Sequence, residues 1–142
     1  MMNNMPVIRP GTPDDAEAIR QILTESPEAA QWDPGQSAGY DFTVAEVNGV
    51  AAAFLVTRTL AEGEHEILNL AVAVAYRRRG LARALISASL RQRKGDIYLE
   101  VRASNRAAET LYKSFGFEQV NTRPAYYADP LEPAIVLKFH SC

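Results

Sequence analysis

Ile67-Leu68-Asn69-Leu70-Ala71-Val72, with Arg77-Arg78-Arg79-Gly80-Leu81-Ala82-Arg83 just behind it, is the stretch on which the fold turns. An apolar, strand-like run ends, a short basic loop with a glycine follows, and a helix opens. Helix starts leave backbone N–H groups unpaired and carry partial positive charge, so an anion can sit there. Gly80 lets the backbone come close to such an anion, and the small Ala82 does so less completely. Four arginines within seven residues add charge. A solvated basic helix start or a nucleic-acid patch fits that charge equally well. The loop is not a Walker motif, since no Gly-Lys-Ser/Thr follows, and its glycine spacing is not that of a dinucleotide site.

The rest of the chain fits around this unit. Upstream, Phe42 to Val47 and Val50 to Thr57 flank Asn48-Gly49, a pair that tolerates positive φ and signals a hairpin. Val7-Ile8-Arg9 reads as a first strand stopped by Pro10-Gly11. Thr12-Pro13-Asp14-Asp15 starts a helix, with Thr12 as cap, and Ala16, Ile19, Ile22 and Leu23 follow at helical spacing. Ser26 to Gly39, around Trp32, reads as a loop. Ala61 to Glu64 leads into a fourth strand, Ile67 to Val74. Leu81, Ala82, Leu85, Ile86, Ala88 and Leu90 give the second helix, ended by Lys94-Gly95-Asp96. Ile97, Leu99 and Val101 then alternate with Tyr98 and Glu100 as a fifth strand. Asn105 caps a last helix holding Ala108, Leu111, Tyr112 and Phe115, and Gly116 stops it. Phe117 to Arg123 and Ile135 to Phe139 close the chain. Strands and helices in this order imply a mixed α/β (α+β) sheet covered by helices.

At 142 residues, 47% hydrophobic and 23% charged, the chain is expected to form one domain spanning 1–142. Its core needs no disulfide, and the lone Cys142 reads as a terminal surface thiol in a reducing compartment. Met1 to Pro6 has no basic region or apolar run, and no stretch nears the roughly 18 apolar residues of a membrane span. A soluble cytoplasmic protein is expected. His65 and His140 have no partner at ligand spacing, so both are read as surface residues and no metal is expected. The net charge of −2 hides an asymmetry: residues 1–66 carry −8 and residues 67–142 carry +6. The basic half suits a polyanionic ligand.

Arg77-Arg78-Arg79-Gly80-Leu81-Ala82 resembles the Arg/Gln-x-x-Gly-x-Gly/Ala loop by which GNAT acetyltransferases bind the pyrophosphate of coenzyme A. Glu66 to Val72, Leu99-Glu100-Val101-Arg102-Ala103-Ser104-Asn105, and Leu111-Tyr112 through Gly116-Phe117 resemble the RimI-type ribosomal-protein alanine acetyltransferases, in matching order and spacing. Val74 stands where that type usually has proline, and Ala82 where glycine is commoner. The resemblance implies a GNAT fold: a twisted, mostly antiparallel sheet splayed between strands four and five, with helices on both faces. It implies acetyl-CoA as donor, bound by Leu70, Ala71 and Val72, by Arg77, Arg78, Arg79, Gly80, Leu81, Ala82 and Arg83, and by Asn105.

The resemblance also distributes the chemistry. Backbone of strand four supplies the oxyanion donor. Glu100 is the general base through a water, with Glu66 as the rival carboxylate. Tyr112 is the acid that protonates the departing thiolate. Read from the residues alone, Glu100 is equally an ordinary ion-paired glutamate and Tyr112 a core aromatic. Trp32 and the pair Tyr126-Tyr127 are candidates for the acceptor groove. The acceptor implied is the α-amine of a protein N-terminus, a ribosomal protein among the candidates, with no nucleic acid or membrane partner and a monomer or weak homodimer. A small-amine acetyltransferase, for a polyamine or amino sugar, and a non-catalytic acyl-CoA-binding module are the alternatives.

Overall fold

The structure is a computed structural model that describes residues 5–27, 40–127 and 131–141. Its strands in chain order are β1 (Val7–Pro10), β2 (Asp41–Val47), β3 (Val50–Ala61), β4 (Glu64–Val72), β5 (Gly95–Arg102), β6 (Glu118–Tyr127) and β7 (Glu132–Ser141). Helix α1 (Ala16–Thr24) follows β1, α2 (Leu81–Gln92) follows β4, and α3 (Arg106–Lys113) follows β5. The sheet order is β1-β2-β3-β4-β5-β7-β6. The β1–β2, β2–β3, β5–β7 and β6–β7 ladders are antiparallel, and β4–β5 is parallel. This is the mixed, mostly antiparallel GNAT sheet the resemblance implies.

Local chemistry accounts for the junctions. Asn48 and Gly49 take φ of 50° and 81°, the positive values a two-residue hairpin turn requires. The parallel ladder pairs Glu64–Ile67 with Asp96–Leu99 and ends at Ile67 and Leu99, although β4 runs on to Val72 and β5 to Arg102. The fourth strand stops two residues earlier than its apolar text suggests, because Val74–Tyr76 coil into a 3-10 turn.

By its contacts the chain divides into two units. The first holds the described residues of Met1–Arg58 together with Leu68–Gln92. Here Ile19 and Ile22 of α1 pack on Phe54, Val56 and Ala71. Phe54 and Val56 share one face of β3, yet Ala53 and Leu55 of the other face are equally buried, so both faces are covered. α2 lies against β1 and β2, with Leu81, Leu85 and Ile86 buried. Each such aliphatic side chain contributes about 1.5–3 kcal/mol of burial. The helix start expected at Thr12 is a 3-10 turn, Pro13–Asp15, that leads into α1. Asp15 closes it, its Oδ2 accepting from the Thr12 N–H at 2.8 Å and from Arg9 Nη1 at 2.8 Å.

The second unit holds Thr59–Ile67 and the described residues of Arg93–Cys142. On β5, Ile97, Leu99 and Val101 are buried and alternate with half-buried Tyr98 and Glu100, as the sequence pattern requires. Tyr112, Phe117 and Phe139 form an aromatic run with centroid spacings of 5.4 Å and 5.4 Å. The histidines are not isolated, although His140 is exposed as expected. His140 lies opposite Asp96 in the β5–β7 ladder and bonds its Oδ1 at 2.7 Å, and the half-buried His65 ring contacts Thr59 Oγ1 at 3.0 Å and Lys94 O at 3.1 Å. Cross-strand partners are far apart in sequence, so spacing could not reveal them. Trp32 and the loop from residue 28 to Gly39 lie outside the described residues, as does Cys142.

Candidate active site

In the first unit the candidate donor site begins at the end of β4. The Ala73 N–H donates to Ala52 O on β3 at 2.8 Å. Backbone groups alternate in direction along a strand, so the N–H groups of Leu70 and Val72 are directed away from β3. The Leu70 N–H donates to Asn69 Oδ1 at 3.0 Å. Of the expected oxyanion donors Leu70, Ala71 and Val72, the Leu70 N–H has this side-chain acceptor.

The basic loop follows. Arg77, named from the motif as a donor-binding residue, is anchored by its own hydrogen bonds. Its Nε donates to Val72 O at 3.1 Å, and its Nη2 donates to Glu25 O at 3.0 Å and to Ser26 Oγ at 3.2 Å. Glu25 Oε1 accepts from the Val74 N–H at 3.1 Å, so the end of α1 and the start of the loop are tied twice. Arg78 takes φ 64° and Gly80 φ 79°, two left-handed residues that turn the chain into α2. The first helical bond of α2 runs from Ala84 N to Gly80 O at 3.0 Å, leaving the N–H groups of Leu81 and Ala82 beyond the helical ladder. Arg79 stacks over the Tyr76 ring at 5.2 Å, and Arg83 is exposed one helical turn in. A helix N-terminus, a glycine with open space around it and flanking guanidinium groups form a cradle suited to a diphosphate.

The second unit carries the candidate acid and base. Glu100 is mostly buried, its side chain 17% exposed, on the polar face of β5. Its Oε1 lies 3.3 Å from Arg123 Nη2, while its Oε2 is sealed from solvent with no hydrogen-bond partner among the described residues. A buried carboxylate oxygen without a donor costs free energy and calls for a functional reason. Burial, and then the Glu100 charge, push the Tyr127 phenol above its ordinary range. Glu66 lies opposite Tyr98 in the parallel ladder. Tyr112 is 5% exposed, packs edge-on to Phe117, and its carbonyl accepts the N–H groups of Phe115 and Phe117 at 3.0 and 3.3 Å. Burial pushes its phenol well above the usual value, so it stays protonated. Asn105 caps α3, its Oδ1 accepting from the Ala108 N–H at 3.2 Å.

The acetyltransferase (GNAT) family model matches residues 13–117. The chain belongs to the GNAT acetyltransferase family. An N-alpha-acetyltransferase of Sulfurisphaera tokodaii is 37% identical over 105 residues, 62% of either chain. The ribosomal protein bS18 alanine N-acetyltransferase of Escherichia coli K12 is 41% identical over 96 residues, 63% of this chain and 64% of that one. These matches span under two thirds of the length of the curated relatives. The crystal structure of the ribosomal-protein-S18-alanine N-acetyltransferase from Escherichia coli superposes with a TM-score of 0.82 at 31% identity, covering 96% of this chain and 94% of that one.

Within this GNAT chain the loop and β4 residues named from sequence fall in the first unit, and Glu100, Asn105 and Tyr112 in the second. Sequence reasoning missed three sets of contacts: Arg123 beside Glu100, the bonds of Arg77 to Glu25 and Ser26, and those of Glu132. Glu132 accepts from the Ser104 N–H at 2.9 Å, from Ser104 Oγ at 3.0 Å and from Arg102 at 3.2 Å, holding the turn that precedes Asn105. The Ser104 backbone bond, first among these, holds its carboxyl below the usual carboxylate range. These contacts join residues 23 (Glu100 to Arg123) to 52 positions apart, and no local pattern announces them. Among the described residues no group of three His, Cys, Asp or Glu lies together.

Proposed function

We propose that this chain is one catalytic domain that transfers the acetyl group of acetyl-CoA to a primary amine, the α-amino group of a protein N-terminus, by direct attack in a ternary complex. What carries the reading is Glu100, a carboxylate with one oxygen held by Arg123 and the other buried without a donor. Such an oxygen is suited to hold a water that takes the proton of the attacking ammonium. An α-amine has a pKa of about 8, against about 10.4 for lysine, so the demand on the base is modest. The amine nitrogen bonds to the thioester carbonyl carbon, the carbonyl oxygen gains charge opposite the Val72 N–H, and collapse expels the thiolate. The cradle from Arg78 to Arg83 holds the diphosphate, with Arg77 keeping the loop's start in place and Asn105 contacting the donor.

Tyr112 is the proton donor to the thiolate in this scheme. Its burial sets a condition: a phenol at its ordinary value already lies about 1.5 pK above a thiol, roughly 2 kcal/mol uphill. Donation therefore requires the departing thiolate to be desolvated too. Acceptance of a protein N-terminus, with a ribosomal protein as the first candidate, is supported by the relatives' names and by Tyr126 and Tyr127 packed edge-on at 5.1 Å beside the Glu100–Arg123 pair. Cytoplasmic residence is supported by the single cysteine and by the absence, among the described residues, of any helix long and apolar enough to cross a membrane.

The test is Glu100→Gln assayed against N-terminal peptides, polyamines and amino sugars. It keeps shape while removing the basic lone pairs, so kcat should fall on the order of 10²-fold with acetyl-CoA binding intact. Full turnover at every pH would move the role elsewhere. Turnover of small amines alone would replace the acceptor assignment.

A further inference from the structure

We infer that Arg123 is a positioning residue for Glu100, fixing the carboxylate by one oxygen so that the other is presented to the proton it must take. The inference rests on Glu100 being the base. Glu100 lies on β5 and Arg123 on β6, and β7 runs between them: Glu100 is level with Val136 and Arg123 with Ala134. The arginine thus reaches across a whole intervening strand, about 10 Å at ordinary strand spacing, to place Nη2 at 3.3 Å from Oε1. A carboxylate turns broadly about its last bond and its two oxygens exchange. Holding one of them removes that freedom.

Stability does not explain the contact. The Arg123 side chain is 53% exposed, and an ion pair with a partner that open contributes little to folding. The arginine is steadied from its other side, its Cζ lying 5.3 Å from the centroid of the Tyr126 ring. That ring packs on Tyr127, over which Arg102 lies at 4.4 Å. The orphaned atom is Oε2, the oxygen that Arg123 does not touch. A long cation pinned to one carboxylate oxygen and braced on an aromatic ring is an orienting device.

A double-mutant cycle tests it. Acetylation of an N-terminal alanine peptide by acetyl-CoA is measured for the wild type, Arg123→Gln, Glu100→Gln, the double variant and Arg123→Lys. Arg123→Gln should lower kcat roughly tenfold while KM for acetyl-CoA stays within about twofold. The same substitution in the Glu100→Gln background should change kcat by less than about twofold, since the group it orients is gone. Arg123→Lys, a point charge without the planar fork, should recover part of the loss. An equal loss in both backgrounds would make Arg123 a structural or substrate-binding residue and overturn the inference. So would unchanged kcat in Arg123→Gln. If Arg123→Gln melts early, the same comparison is made with Arg123→Lys with and without Glu100→Gln, and additivity there overturns the inference equally. Full turnover by Glu100→Gln alone would instead remove the base assignment, a failure distinct from additivity in the cycle.

Discussion

Tyr112 belongs to the aromatic packing of its unit, and in the proposed reaction it is also the proton donor. Its ring meets Phe117 and its carbonyl anchors the end of α3. Removing the hydroxyl alone separates the roles: Tyr112→Phe preserves the ring and should leave the melting temperature near wild type. If the phenol protonates the thiolate, kcat should fall about 10²-fold while acetyl-CoA still binds, and a donor with a far more acidic leaving thiol should recover activity disproportionately. Equal slowing with both donors would mean that the hydroxyl only positions the thioester. Residues of this kind were half legible in the sequence. The motif picked out Glu100 and Tyr112 by their company, but the orphaned Oε2 and the burial of the phenol exist only where the neighbours are assembled. The same holds for Arg77, whose bonds to Val72, Glu25 and Ser26 no local text announces.

The elements were legible where a local rule governs them and obscure where a distant backbone decides. Asn48-Gly49 announced its hairpin, and the 2-residue alternation of Ile97 to Val101 announced β5. Gly95 announced only a stop. Its φ is 103°, and a Cβ there would sit 2.2 Å from Gly63 O, whose carbonyl accepts the Asp96 N–H at 2.8 Å. Both the strain and the backbone clash oppose a side chain, so Gly95→Ala should cost roughly 3 kcal/mol or more in a denaturant titration. A loss under 1 kcal/mol would mean that the turn shifts freely. The start of α1 carries a pH signature. The Arg9 guanidinium, bonded to both oxygens of Asp15 at 2.8 and 2.9 Å, holds that carboxyl below its ordinary range. A depressed folded-state value adds stability above the unfolded value of about 3.9 and loses it as pH falls through the folded one. The wild type should therefore lose more melting temperature between pH 6 and pH 3 than Asp15→Asn does, and parallel curves would show that the pair contributes nothing.

Taken whole, the molecule should answer to its donor. Acetyl-CoA at 100 times its dissociation constant should stabilise the chain by about 2.7 kcal/mol, a clear rise in melting temperature. Gly80→Leu should abolish that rise, because it fills the open space at a residue with φ 79°. No shift at millimolar acetyl-CoA would contradict the donor assignment. The sequence alone determined the element order, the apolar faces and the basic helix start, because periodicity, turn chemistry and glycine placement act within a few residues. It also carried the family, through motifs kept in order. Tertiary structure alone decided that β7 runs between β5 and β6, that the β4–β5 ladder ends at Ile67 and Leu99, and that Arg123 meets Glu100. Strand order and cross-strand partners depend on which surfaces bury together, and that free energy is shared among residues far apart in the chain, so no short stretch of text encodes it.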